Sequence, residues 1–185
     1  GGQPSGAWSY FVSHGVVSGG DYSEMNTGKS CFPYPIPNCG HHEPSPFKNC
    51  TNPEASTPTC PNPKACPDSK YGGKWATDTH KAKTSYSIGS VQQAQSDIMT
   101  YGSITGAFTV YADFPTYRSG VYKHVTGSAL GGHAIKVLGW GTENGQDYWL
   151  VANSWNKYWG DGGFFKIARG TDECGIEDGL CAGHV

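Results

Sequence analysis

Between Val16 and Lys70 the chain carries ten prolines, at 33, 35, 37, 44, 46, 53, 58, 61, 63 and 67, and five of its seven cysteines, at 31, 39, 50, 60 and 66. Proline fixes φ and removes a backbone donor, so a segment this dense in it neither continues a helix nor fills a central strand. The same stretch is rich in Asn, Ser and Thr and cannot hold itself by packing. Clustered cysteines in such loop sequence point to disulfides in an oxidising compartment. Cys174 and Cys181 complete the seven, and an odd number leaves at least one thiol free or paired outside this chain.

Regular structure is therefore expected on either side. Residues 5–14, SGAWSYFVSH, place Ala7, Trp8, Phe11 and Val12 at helical spacing with Gly15 as a stop, which predicts a core-packed amphipathic helix. Beyond Tyr71, Ser90 caps a helix predicted over Val91 to Tyr101, with Gln93 as its capping-box partner and Gly102 ending it. Ile104 to Tyr111 alternates like a strand. Past a short turn around Pro115 and the segment SGVYKHV, strands follow at HAIKVLGWG, DYWLVANS and GFFKIAR, separated by Gly-rich turns. The C-terminal half thus predicts a small, strongly twisted antiparallel sheet or barrel in an α+β chain.

At 185 residues the chain is long enough to bury a real core. A net charge of −2 with 15% charged residues supplies no basic patch, so neither nucleic acid nor an acidic membrane surface is an expected partner. No apolar run approaches the length of a membrane span. Gly1-Gly2-Gln3-Pro4 carries neither the charged nor the apolar region of a leader.

The chemistry lies in residues 131–160, GGHAIKVLGWGTENGQDYWLVANSWNKYWG. His133 stands at the start of one predicted strand and Asn153 at the end of the next. The turn from Glu143 to Asp147 joins them, so their side chains are expected to meet. An imidazole activates a neighbouring thiol or hydroxyl, and needs a partner that holds its other nitrogen in the right tautomer. An amide in that role favours a thiol nucleophile, because thiolate and imidazolium already form an ion pair. Trp155 is placed to cover the His–Asn hydrogen bond from water. The competing reading is a core histidine and a strand-end asparagine without chemistry.

A second constellation falls inside the proline-rich segment. Cys39 and Cys50 bracket GHHEPSPFKN, with His41 and His42 adjacent. A disulfide closing so short a loop stabilises by a few kcal/mol in the chain-entropy model. A zinc site from Cys39, His41 and a further cysteine is the rival, although the usual Cys-x2-Cys spacing is missing. Two exposed loop histidines without a role form a third reading. Asn49-Cys50-Thr51 fits the N-glycosylation pattern.

GGHAIKVLGWG followed by YWLVANSWNKYWGDGGFFKI resembles the His and Asn segments of papain-like cysteine peptidases. CFPYPIPNCGHHEPSPFKNC resembles the occluding loop of the cathepsin B group within that family. The similarity runs from GGQPSGAW to DECGIEDG. It implies a papain-like two-domain fold, with residues 1–80 giving the remainder of the helical domain and residues 81–185 mainly the β-rich domain. His133 would be the general base and acid, and Asn153 its orienter. Trp155 and Trp159 would shield the pair and line the primed side of the cleft.

The resemblance further implies that Gly1 and Gly2 pair with the substrate backbone and that Gly132 and Ala134 flank it. His41 and His42 would receive the carboxylate of a short substrate tail, which turns an endopeptidase into a peptidyl-dipeptidase. Disulfides Cys39–Cys50 and Cys31–Cys66 are implied, with Cys60 bonded to a segment outside this chain. No metal or cofactor is implied. Expected partners are peptide and protein substrates, a light chain, and a propeptide or cystatin-type inhibitors, in a lysosomal, endosomal or secreted setting.

The departures are as informative. The family's nucleophile lies in a Gln…Cys-Gly-Ser-Cys-Trp segment, and none of the seven cysteines has that context. The expectation is that the attacking thiol sits on a separate light chain or on a removed front part, and that this chain alone is inactive. Gly179 falls where some relatives place a glutamate at the floor of the S2 pocket, which implies weak preference for Arg at P2. Phe47 and Tyr158 align with an Arg and an Asp that latch the loop in some relatives, so an aromatic contact is expected to replace an ion pair and make closure less sensitive to pH and salt. The alternative class is a non-catalytic, cathepsin B-like extracellular binding or matrix module.

Overall fold

The computed structural model describes residues 1–50 and 65–185. The elements in chain order are α1 (Pro4–Ser13), β1 (Gly19–Gly20), β2 (Phe32–Pro33), α2 (Trp75–Asp78), β3 (Thr84–Ser87), α3 (Val91–Tyr101), β4 (Ile104–Tyr111), β5 (Val121–Tyr122), β6 (Ala129–Glu143), β7 (Gln146–Ala152), β8 (Phe164–Ala168) and β9 (Cys181–His184). Seven strands form one sheet in the order β3-β9-β4-β6-β7-β8-β5. Its pairings are antiparallel except for β5 with β8, which is parallel and departs from the antiparallel expectation. The architecture is mixed α+β, as expected.

The predicted strand at Ile104–Tyr111 buries every second residue, with Ile104, Phe108 and Val110 facing the core. Strands β6 and β7 join through Asn144 and Gly145, both at positive φ (51° and 78°), the left-handed pair that a type I′ hairpin turn requires. That turn sets the register pairing Trp140 with Trp149 and Lys136 with Ala152. A register shift between Val137 and Gly139 bends β6. The fully buried Trp149, Val137, Val151, Phe165 and Ile167 fill the space behind the sheet.

Helix α3 has the predicted bounds. Ser90 Oγ accepts from Gln93 N at 3.1 Å, but Gln93 Oε1 turns to Gly89 N at 2.9 Å, one residue before the cap. Helix α1 starts on Pro4, which suits a first-turn position. It stops before Gly15, whose φ is +85° and where a Cβ would meet His80 O at 2.6 Å.

The expected burial of α1 is corrected: none of its residues is buried. Trp8 and Phe11 are half-covered, and Trp8 Nε1 donates to Thr105 Oγ1 at 3.1 Å. Its apolar stripe instead lines an open cleft of about 490 Å³ with Gly2, Pro4 and Ala134. Strands β3 and β9 and helix α2 were not anticipated.

The irregular segment is held by cross-links. Disulfides join Cys31 to Cys66 and Cys39 to Cys50. The buried Asp68 carboxylate accepts from Gly28 N at 2.8 Å and Lys70 N at 2.9 Å, which ties the two ends of the segment together. Cys60, and Thr51 of the glycosylation pattern, lie outside the described residues. No helix among the described residues is long and apolar enough to cross a membrane.

Candidate active site

Strand β6 starts at Ala129, earlier than expected, so His133 lies within it, directly opposite Phe108 of β4. Asn153 follows the last residue of β7 and is fixed by its backbone, with Asn153 N donating to Gly163 O at 3.0 Å. The hairpin brings the two side chains together, with His133 Nε2 2.8 Å from Asn153 Oδ1. Asn153 Oδ1 also accepts the Ser154 backbone N–H at 2.7 Å, which identifies it as the oxygen of the amide. Nε2 must then carry the hydrogen, and the lone pair of the neutral ring sits on Nδ1.

Aromatic rings hold this imidazole. Phe108 meets it edge-on at 6.0 Å and the Trp155 indole packs against it at 5.1 Å with planes tilted by 30°. Trp155 rests in turn on Phe114 at 5.5 Å and Trp159 at 5.1 Å. Trp159 is completely buried, with Nε1 donating to Pro115 O at 2.9 Å, so it supports Trp155 from the core and does not line a cleft as expected.

The 39–50 loop reaches the same place. His41 stacks on Trp155 at 5.8 Å and 11°, and His42 lies 4.8 Å from it. His42 sits at φ +56°, a left-handed conformation that costs a non-glycine residue energy and turns the two rings toward one indole. Asn156 Nδ2 donates to Cys39 O at 3.0 Å, and Phe47 meets Tyr158 edge-on at 5.9 Å. An ion pair absent from the sequence reading joins Glu43, which is 8% exposed, to Arg118, which is 61% exposed. The expectation of weak salt sensitivity is thereby qualified: the aromatic contact is present, but a charged contact from the same loop accompanies it.

An open cleft of about 670 Å³ runs between this loop and the sheet, lined by Tyr34, Cys39, His41, Phe47, Asn153 and Phe164. Ala134, the neighbour of His133, lines the second cleft with Gly2. Gly1, Gly132 and Gly179 are exposed, with open space around each. Among the described residues, Asn153 Nδ2 is buried without an acceptor.

No described thiol suits the role of nucleophile. Burial pushes the Cys174 thiol up to about 12, helped by the Glu173 carboxylate beside it, and burial raises Cys181 as well. Both therefore stay protonated near neutral pH. Cys39, His41 and Cys50 form a possible metal-ligand group, all within 4.8 Å, but the two sulfurs are bonded to each other and are not thiolates. The zinc alternative is thus set aside for the oxidised chain.

A second charged cluster is centred on Asp113. Asp113 accepts from Val125 N, Thr126 N, Tyr122 OH and His124 Nδ1, at 2.7 to 3.2 Å. Burial alone would raise its carboxyl, but these hydrogen bonds hold it well below the usual carboxylate range.

Residues 1–184 match the papain family cysteine protease model. The chain is 46% identical over 185 residues to cathepsin B-like cysteine proteinase 4 of Caenorhabditis elegans, covering 99% of this chain and 54% of that protein. It is 45% identical over 186 residues to a cathepsin B-like cysteine proteinase of Schistosoma japonicum, covering 100% of this chain and 53% of that one. Among solved structures, proCathepsin B S9 from Trypanosoma congolense superposes with a TM-score of 0.76 at 34% identity, over 100% of this chain and 53% of that one. The chain spans about half the length of these relatives. It belongs to the papain family of cysteine proteases, among relatives named cathepsin B-like.

Proposed function

We propose that this chain is the His–Asn half of a cathepsin B-like cysteine peptidase, completed by a thiol on polypeptide outside residues 1–185. The observation that supports this reading is the 2.8 Å hydrogen bond between His133 Nε2 and Asn153 Oδ1, with Trp155 packed against it. With Nε2 committed as donor, Nδ1 takes the proton of the incoming thiol. The thiolate attacks the peptide carbonyl carbon, and the imidazolium returns the proton to the leaving amine as the C–N bond breaks. Water, deprotonated by the same imidazole, then hydrolyses the thioester and releases the acid.

His41 and His42, held over Trp155, receive the carboxylate of a substrate's C-terminus, so the enzyme removes dipeptides and retains endopeptidase activity. Gly1, Gly2, Gly132 and Ala134 flank the extended substrate. Exposed Gly179 leaves the S2 floor without a carboxylate, and a peptide-library profile led by Arg at P2 would contradict this part. Residues 1–80 supply the remainder of the helical domain and residues 81–185 mainly the β-rich domain, whose wall of the cleft carries His133 and Asn153. A propeptide or cystatin-type inhibitor is the expected regulator, in a lysosomal, endosomal or secreted setting. Intact mass before and after reduction would reveal a disulfide-linked partner segment and its size.

The deciding experiment compares the purified chain with the same chain refolded with a segment bearing the family's Cys-Gly-Ser-Cys-Trp motif. Hydrolysis of a dipeptide-releasing substrate is expected only from the complex, and only while its thiol is unmodified. Turnover by the chain alone, or none by a folded complex, overturns the proposal.

A further inference from the structure

Cys39, His41 and Cys50 present three potential ligand atoms within 4.8 Å of one another. His41 Nε2 already lies 3.7 Å from Cys39 Sγ. We infer that reduction of the Cys39–Cys50 disulfide turns this triplet into a binding site for a zinc-class metal ion, with two thiolates, one imidazole and solvent as the fourth ligand.

The geometry supports this. A tetrahedral zinc with Zn–S of about 2.3 Å and Zn–N of about 2.0 Å holds nitrogen and sulfur about 3.5 Å apart, and two sulfurs about 3.8 Å apart. The His41–Cys39 separation of 3.7 Å is close to the first requirement, and the Cys50 sulfur lies within 4.8 Å of the His41 ligand atom. The second is reached by rotating the cysteine side chains, since the two Cα atoms are 4.8 Å apart.

The backbone that carries these ligands is held by contacts other than the disulfide. Gly40 N donates to Lys48 O at 2.7 Å and Cys50 N to Gly40 O at 3.5 Å, closing the base of the loop. Asn156 Nδ2 fixes the Cys39 carbonyl at 3.0 Å, and stacking on Trp155 orients the His41 ring. Opening the disulfide therefore leaves the ligands near one another, which lowers the cost of gathering them around an ion.

The switch is chemically balanced. A thiolate of a dithiol reductant attacks one sulfur of the bridge and the S–S bond breaks. The second thiol of the reductant closes the mixed disulfide, so both cysteines gain a hydrogen and the reductant leaves as a cyclic disulfide. The metal ion then displaces both thiol protons into solvent. Cys39 and Cys50 are both half-exposed, whereas in the other bridge Cys66 is half-exposed and Cys31 fully buried, so a reductant reaches either sulfur of the loop bridge but one sulfur of the other.

The test uses the full chain with Cys60, Cys174 and Cys181 replaced by serine, its fold checked by circular dichroism. It is reduced with dithiothreitol under inert gas, desalted and titrated with Co²⁺. The expected result is uptake of about one equivalent with a thiolate-to-cobalt charge-transfer band in the near ultraviolet, displaced by Zn²⁺. His41→Ala should weaken binding at least about tenfold. The same chain with Cys39 and Cys50 both serine should show no band, and neither should the unreduced chain. Uptake that persists unchanged in His41→Ala or in the double serine variant overturns the inference, as does a reduced chain without the band. The fully native chain and its His41→Ala variant, titrated side by side, give the same comparison should the serine background fail to fold. None of these readouts uses peptidase activity, so their outcome is separate from that of the function proposed above.

Discussion

His133 donates from Nε2 to Asn153 Oδ1, and the backbone N–H of Ser154 occupies the same oxygen. The second donor leaves the amide no alternative orientation, and so sets the tautomer of the imidazole without a charge. In ¹⁵N-resolved spectra of the chain, the neutral ring of His133 is expected as the Nε2–H tautomer. Asn153→Ala should mix in the other tautomer and, in the assembled peptidase proposed above, lower kcat about 10- to 100-fold with a smaller change in KM. Spectra identical to the parent chain would remove Asn153 from the orienting role.

Two of the contacts that hold the 39–50 loop to the sheet side differ in physical kind, and salt separates them. The Phe47–Tyr158 edge contact is insensitive to ionic strength, whereas the Glu43–Arg118 pair is half open to solvent and screened by it. Amide hydrogen exchange across 40–50 should quicken about fivefold in Phe47→Ala at any salt. In Arg118→Met it should quicken about two- to fivefold at low salt and converge with the parent at high salt. A salt response that survives Arg118→Met would assign it elsewhere.

Asp113 contributes to the acid limb of stability. Its folded carboxyl lies below the unfolded value of about 3.9, so its contribution is complete above that pH and is lost as pH falls through the folded value. Asp113→Asn is expected to lower stability at pH 7 by about 2 kcal/mol. It should also flatten the fall in stability below about pH 4. Urea unfolding at both pH values measures this, and an equal loss at pH 7 and pH 2 would show that charge plays no part.

Cys174 should be slow to alkylate. With its thiol pushed up to about 12 by burial and by Glu173, iodoacetamide at neutral pH is expected to modify it at least about a hundredfold more slowly than a free thiol. Glu173→Gln should quicken the reaction. Rapid labelling of Cys174 in the folded parent would make it a candidate nucleophile.

What was legible in the sequence follows the range of the interactions involved. Strand β4 announced itself because alternate burial of Ile104, Phe108 and Val110 is a local, period-two pattern. The His133–Asn153 meeting was readable because one short hairpin, with its Asn144-Gly145 turn, sets the register between them. The Phe47–Tyr158 contact came from the family resemblance, not from spacing. Strands β3 and β9 escaped because Thr84–Ser87 is a polar edge segment paired with Cys181–His184 from the far end of the chain. The Glu43–Arg118 pair escaped for the same reason. Helix α1 showed its apolar stripe at the right spacing, but spacing says nothing of what a stripe meets, and here it faces an open cleft.

Trp155 leans on Phe114 and Trp159, and those two are wholly buried members of the core cluster. The ring against His133 is therefore the outermost of a stack that continues into the folding unit itself. On heating, the imbedded imidazole and the sheet lose their order in a single cooperative step, while the 39–50 loop, which touches the stack from outside, is free to lift at a lower temperature. Heat is thus expected to separate a reversible change at the mouth of the cleft from the later, all-or-none loss of the His133–Asn153 pair.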